Sequence, residues 1–345
     1  MHKIGLHGKS FVPMLIGFGC SVPAVMATRM LENRRDRLTT MLVVPLMSCG
    51  ARLPIYALII PAFFPKKTLF SIFGMGFTNQ GGLLFLIYVI GIVLAIFCAK
   101  LLRATLLRGE KAPFVMELPP YRMPTTRGLL IHMWTRTWLY VKKAGTVIFA
   151  LAIILWVMDT LPRNKELAKD YDRRIANLTE TYEQSVSSPG ADHEIIKTSY
   201  EEKIGKLKAR EREEQLEYSI SGRLGHAIEP ILRPMGFDWR IGVALIGAFG
   251  AKEVFVSQMG IVYALGDEQT EESEPLQDKI ARDYTPLQGF CIMLFCLTSA
   301  PCLATIAVTR RESNSWGWAM FQLAGLTALA WVLTTVVYQI GRLLV

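Results

Sequence analysis

Gly17-Phe18-Gly19-Cys20-Ser21-Val22-Pro23, Met47-Ser48-Cys49-Gly50-Ala51-Arg52-Leu53-Pro54 and Ser299-Ala300-Pro301-Cys302 each interrupt a hydrophobic stretch of this chain. In a bilayer every backbone polar group must be satisfied within the protein. A broken helix is tolerated only where protein or a water-filled cavity covers the break. Transporters place such breaks at the substrate site, where helix ends and freed carbonyls meet an ion. A cysteine at each break adds a soft metal ligand. The combination points to a membrane transporter for a transition-metal ion.

Composition agrees with that class. Half of the 345 residues are hydrophobic and the mean hydropathy is positive, as expected of an integral membrane protein. Apolar runs of the length needed to span a bilayer, about 20 residues, lie near 39–64, 81–103, 141–161, 239–265, 285–309 and 316–344. The shorter stretch 10–28 reads as half a span or a re-entrant segment. The expected fold is therefore all-α and polytopic, with six or seven hydrophobic segments, some of them broken or re-entrant. Pro13, Pro23 and the glycines break the apolar part of residues 1–27, which does not read as a signal peptide.

The net charge of +9 is not a nucleic-acid signal. Much of it lies beside spans, chiefly in 100–143, with Lys100, Arg103, Arg108, Lys111, Arg122, Arg127, Arg136, Lys142 and Lys143. The positive-inside rule makes that loop cytoplasmic and sends the following span outward. The six cysteines sit in or near apolar segments, not in a spaced extracellular framework. That favours thiols or ligands over structural disulfides.

At about 162–222 the composition shifts to charges of both signs. Leu167, Tyr171, Ile175, Leu178 and Tyr182, then Ile196, Tyr200, Ile204 and Leu207, recur at helical spacing. Ser187-Ser188-Pro189-Gly190 between them reads as a turn. The expectation is a soluble antiparallel hairpin with arms of roughly 35–40 Å, a solvated spacer or docking arm in the plainer reading and a specific binding platform in the other. The chain then divides into a membrane region with a partial first gate module (1–161), the hairpin insertion (162–222), and a second gate module with C-terminal spans (223–345). Segment 110–127 is expected to be irregular, 128–140 an interfacial helix, 224–237 another interfacial element stopped by Pro234, and 267–283 an acidic loop. A weak repeat relates 12–20 to 243–251, and paired Gly-interrupted segments in two halves point to a transporter site.

Cys20 and Cys302, with Cys49, are the candidate metal ligands. A thiolate ligand calls for a nearby positive charge or helix N-terminus, and Arg52 lies three residues after Cys49. Lys252-Glu253 follows Gly250-Ala251 inside an apolar run, where ionisable residues are costly and usually functional; a structural pair is the alternative. Gly17, Gly19, Pro23, Ser48, Arg52, Ser299 and Pro301 complete the candidate pathway. Cys98, Cys291 and Cys296 lie in unbroken apolar runs and read as packing. The methionines are scattered, which leaves a copper(I) reading weak, and the five histidines show no paired metal spacing. Gly5-Leu6-His7-Gly8-Lys9-Ser10 ends like a phosphate loop but has two residues between its glycines where four are needed. No catalytic constellation supports an enzyme.

Several ordered strings carry a family resemblance. They are Gly5 to Arg29 with its Gly-Phe-Gly-Cys centre, Pro45 to Ala57 around Met-Ser-Cys-Gly-Ala-Arg, Gly236 to Leu245 with Ala251-Lys252-Glu253-Val254, and Pro301 to Thr305 with Arg310-Arg311-Glu312. Together they resemble the membrane region of the ferrous iron transport protein B (FeoB) family. The resemblance implies an inner-membrane, multi-pass importer of ferrous iron built on two related gate modules, with Cys20, Cys302 and Cys49 near the iron path. Family members begin with a GTP-binding G domain, a helical domain and first spans. None of these is visible here, so the chain is expected to be one half of a split transporter, a truncated product or a misassigned start. The implied partners are membrane lipid, a G-domain-bearing N-terminal half, a small FeoA-like accessory protein and further copies of the chain, with no nucleic acid. No resident cofactor is expected: iron(II) is cargo, and GTP enters only through the N-terminal half. Two rivals stay open, a transporter of another solute such as a nucleoside and a non-transporting scaffold.

Overall fold

The computed structural model describes residues 6, 8–66, 68–72, 75–107, 125–186, 193–263 and 274–344. The expected irregular segment 110–127 and the turn at 187–190 lie largely or wholly outside the described residues.

The architecture is helical, and its organising feature is a pair of interrupted helix units. In the first unit, α1 (Phe11–Gly17) and α2 (Ser21–Ala27) flank the break at 18–20. The next stretch crosses the bundle as α3 (Arg34–Val43), a break, and α4 (Leu53–Phe63). In the second unit, α10 (Trp239–Gly250) and α11 (Val254–Val262) flank 251–253. The crossing stretch there is α13 (Pro286–Thr298), a break, and α14 (Leu303–Ser313). Proline helps set these restarts. Pro23 and Pro54 stand in the first turns of α2 and α4, where the missing N–H costs nothing.

The two units run in opposite senses. At one end of the bundle Lys9 pairs with Glu32 at 2.9 Å, Arg103 with Asp36 at 2.7 Å and Arg29 with Glu312. Both ends of the α1–α2 pair, the start of α3 and the end of α14 meet there. At the opposite end Arg240 and Tyr263 both reach Asp283, at 3.6 and 2.9 Å. The α10–α11 pair therefore dips into the bundle and returns to the face it left. The stretch 239–265, expected to span, is re-entrant; 10–28 is also re-entrant, from the other end. An inverted arrangement of this kind is a recurring transporter design.

Four stretches among the described residues have the length and apolarity to cross a membrane: Arg34–Phe63, Asn79–Ala104, Pro286–Ser313 and Trp316–Leu344. The second is α5 and the last α15. Long α5 and α15 bury only narrow stripes, at Ile87, Gly91, Ala95 and Ala99 and at Ala319, Gln322, Leu326, Ala330 and Thr334. Such stripes suit helices that face lipid on their other sides. Gly91 brings α5 against the first crossing stretch: a Cβ there would lie 2.9 Å from the Leu46 carbonyl oxygen. Two apolar clusters flank the breaks. One is built on α4, α10, α11 and α13, the other on α2, α3 and the middle of α5.

Two local expectations are corrected, and one element is added. Residues 128–140 are not a separate interfacial helix: α6 runs unbroken from Thr126 to Thr160. Residues 274–283 are not loop: α12 (Glu274–Asp283) packs Leu276 and Ile280, one turn apart, into the core. A short antiparallel ribbon, β1 (Thr68–Ile72) and β2 (Met75–Thr78), adds the one sheet seen among the described residues. After α9 (Ile220–Leu232), a 3-10 turn through Pro234 ends at left-handed Gly236.

The charged hairpin comprises α7 (Lys165–Val186) and α8 (His193–Tyr218). Its arms are held by stacked Tyr182 and Tyr200, with ring centroids 4.2 Å apart, and by Tyr171 Oη donating to Glu214 at 2.9 Å. Burial, then the Glu214 carboxylate, raise the Tyr171 phenol above its ordinary range. At the hairpin base Gln215 exchanges two bonds with the Asn164 backbone. Arg240 of α10 pairs with Glu213 at 2.6 Å and fixes the hairpin to the re-entrant pair.

Gly236 offers a direct test of packing at that end. Its φ is 77°, and an added Cβ would lie 2.3 Å from the Tyr338 ring. Gly236→Ala combines a left-handed penalty with overpacking, together about 2–5 kcal/mol. The detergent-solubilised variant should melt at clearly lower temperature; an unchanged midpoint would contradict the geometry.

Candidate functional site

The four breaks meet around one cavity of about 90 Å³, lined by residues that include Gly19, Cys20, Cys49, Arg52, Lys252, Glu253, Pro301 and Cys302. Residues from four separate parts of the sequence thus share one wall. Each cysteine stands at the start of a helical segment. Cys20 is the cap of α2, Cys302 of α14, and Cys49 of the 3-10 turn Gly50–Arg52 that runs into α4. Glu253 holds the same position on α11. None of these four side chains caps a backbone N–H of the helix it starts, and the Cys302 sulfur instead meets Thr305 Oγ1 at 3.3 Å. Helix starts carry positive dipole ends, so the cavity is a place where anionic ligand groups are favoured.

Direct bonds tie the breaks in pairs. Gly50 N–H donates to the Gly19 carbonyl at 3.1 Å, joining the first and second breaks. Lys252 Nζ donates to Ser299 Oγ at 2.8 Å, joining the third and fourth. Arg52, almost fully buried, donates to the carbonyls of Pro45 at 2.9 Å and Met47 at 3.1 Å. It caps carbonyls freed where α3 ends, which accounts for a guanidinium at this depth. The Gly19, Pro45 and Met47 carbonyls therefore already accept one bond each.

Not every expected residue lines the cavity. Gly17 packs on Met47, Pro23 stands in the first turn of α2, and Ser48 lies within 3.4 Å of Tyr56 Oη. Ser299 reaches the site through Lys252. Cys98, Cys291 and Cys296 are absent from the lining, and all six cysteines are unbridged. Among the described residues no three His, Cys, Asp or Glu side chains are close enough to hold one metal ion. The cysteines share a cavity without forming a closed cage, an arrangement compatible with passage.

Sequence reasoning missed the clamp between α2 and α14. Arg29 grips Glu312 through Nε and Nη2, at 2.6 and 2.5 Å, and Arg37 donates to the Glu312 carbonyl. Cys20 and Cys302 open these two adjacent helices at the cavity, and the clamp closes them at the far end. Arg29 and Glu312 are the terminal residues of two of the strings that carry the family resemblance, and that shared end position is the signal that could have found them.

Comparison with known proteins adds two family matches. A family described as nucleoside recognition, Gate, matches residues 1–63 and 141–316, and one described as ferrous iron transport protein B C terminus matches 84–136. A Porphyromonas gingivalis protein named Fe(2+) transport protein A/Fe(2+) transporter FeoB fusion protein is 41% identical, over 99% of this chain and 39% of its own length. Proteins named Fe(2+) transporter FeoB from Helicobacter pylori and Campylobacter jejuni are each 36% identical over 100% of this chain, and over 50% and 48% of their own lengths. The chain spans about half or less of the length of these relatives. No solved structure matches it.

Proposed function

We propose that this chain, which belongs to the Gate family and matches the C-terminal region of ferrous iron transport protein B, is the iron(II)-permeating membrane part of an importer. The observation that carries the reading is the meeting of Cys20, Cys49 and Cys302, from three separate breaks, on one cavity between two inverted units. An iron(II) ion sheds part of its water there and passes among the sulfurs and Glu253. Iron(II) accepts both thiolate and carboxylate, and open geometry keeps binding weak enough for release.

The cavity also weighs against a nucleoside. At about 90 Å³ it is well below the roughly 300 Å³ at which pockets for small organic ligands begin. The name of the Porphyromonas relative, a fusion of Fe(2+) transport protein A with FeoB, supports an FeoA-like partner, and the roughly half of each relative that lies outside the match supports a separate N-terminal portion, proposed from the family resemblance to bind GTP. GTP would act only through that portion, and no resident cofactor is assigned to this chain. The inner membrane is the proposed location, and the α7–α8 hairpin would lie on its outer side, opposite the arginine-rich end.

The test is anaerobic iron(II) uptake in cells that lack their own ferrous importer. With the chain and a G-domain-bearing half together, uptake is expected above the empty vector. No uptake by the chain alone or by the pair, with the chain inserted, would favour a docking scaffold. Competition of that uptake by nucleosides would favour the other cargo.

A further inference from the structure

Arg52 and Lys252 both line the central cavity, and their side chains are 1% and 5% exposed. Buried charges of one sign are costly unless a counter-charge lies beside them. Arg52 spends Nη1 and Nη2 on neutral carbonyls, and its buried Nε–H has no partner. Lys252 gives one of its three N–H groups to Ser299, another neutral acceptor. Among the described residues neither cation forms an ion pair with a carboxylate. Glu253, the one carboxylate in the lining, is exposed. The N-terminus of eleven-residue α14 opens on the same space at Cys302, with no side-chain cap.

From this set we infer that the cavity binds a small monovalent anion, a halide with chloride as its natural form, between Lys252 Nζ and the first N–H groups of α14, in the field of the buried Arg52 guanidinium. A cavity of about 90 Å³ holds such an ion with a few waters. The binding site follows from the charge of the wall and does not depend on the cargo. Its role does rest on the reading above: the anion lowers the barrier that two fixed cations raise against iron(II).

The probe is radiolabelled chloride, measured by equilibrium binding to the purified chain in detergent. Ionic strength is held with gluconate, which is too large for the cavity. Saturable binding of about one chloride per chain is expected. Lys252→Met and Arg52→Gln should each weaken it at least about tenfold, the first by loss of a bond to a charged group and the second by loss of the buried charge beside it. Lys252→Arg and Arg174→Gln, the latter removing an exposed cation of the hairpin, should retain it. Circular dichroism and gel filtration check that each variant is folded. No saturable binding in the native chain, or equal binding in Lys252→Met and Arg52→Gln, would overturn the inference. So would binding that appears only in the Cys20→Ser, Cys49→Ser, Cys302→Ser triple variant, because the sulfurs would then be the counter-charge. Failure of chloride binding would leave iron uptake unchanged as a test of function.

Discussion

Cys302→Ser and Cys20→Ser should each lower iron(II) uptake at least about tenfold, the scale already seen when only the partners that orient a metal's ligands are removed, while leaving the protein as stable as before. The two halves of that expectation come from the same geometry. Both cysteines are helix caps whose sulfurs make no capping bond to a backbone N–H, and a serine at 302 can keep the contact with Thr305 Oγ1. Serine is a preferred cap, so the exchange keeps or slightly strengthens α2 and α14. What is lost is the soft ligand, since a serine hydroxyl is a poor substitute for sulfur toward iron(II). Cys49→Ser should behave similarly, and Cys98→Ser, outside the cavity, should transport normally. Uptake in right-side-out vesicles, with thermal unfolding of the same preparations, separates flux from folding. Full uptake in both Cys302→Ser and Cys20→Ser would remove the sulfurs from the path.

Glu312→Lys should be the most destabilising single charge change at the clamp end. Glu312 is 5% exposed and faces Arg29 at 2.5 Å and Arg311 at 3.7 Å, with Arg37 on its carbonyl. The exchange turns a buried hydrogen-bonded carboxylate into a cation among arginines. Breaking a buried pair costs about 3–5 kcal/mol before repulsion is counted. The detergent-solubilised variant should unfold well below the native midpoint and lose uptake. Adding Arg29→Glu should restore much of both, because the pair is rebuilt with its signs exchanged. A single variant as stable as the native chain, or no rescue by the exchange, would show that the clamp does not join α2 to α14 in the membrane.

The breaks were legible because Gly and Pro weaken a membrane helix wherever they cluster, and a Cys beside them adds chemistry that packing does not need. The breaks within 17–23, 47–54 and 299–302 all interrupt helical structure at the cavity. Direction was less legible. Residues 239–265 are long enough to span, and hydropathy reports length alone. The fold-back of α10 on α11 shows only in contacts such as Gly247 against Gln258. Acidic composition hid α12, although Leu276, Ile280 and Tyr284 already repeat every four residues. The tryptophans of 128–140 suggested an interface, but no proline separates them from the apolar run that follows, and α6 continues through. At the site, the three cysteines, Arg52, Lys252 and Glu253 were legible from chemistry at membrane depth. The Arg29–Glu312 pair was not, because its members stand 283 residues apart and a single sequence does not report pairing.

The most direct test of the iron path is an anaerobic thiol footprint of the native chain in lipid, with a small maleimide and mass spectrometry, with and without iron(II). The account predicts that iron(II) slows labelling of Cys20, Cys49 and Cys302 together and leaves Cys98 unchanged, with Cys291 and Cys296 unlabelled in both states because they are buried. Equal labelling of Cys20, Cys49 and Cys302 with and without iron(II), at concentrations that support uptake, would contradict it.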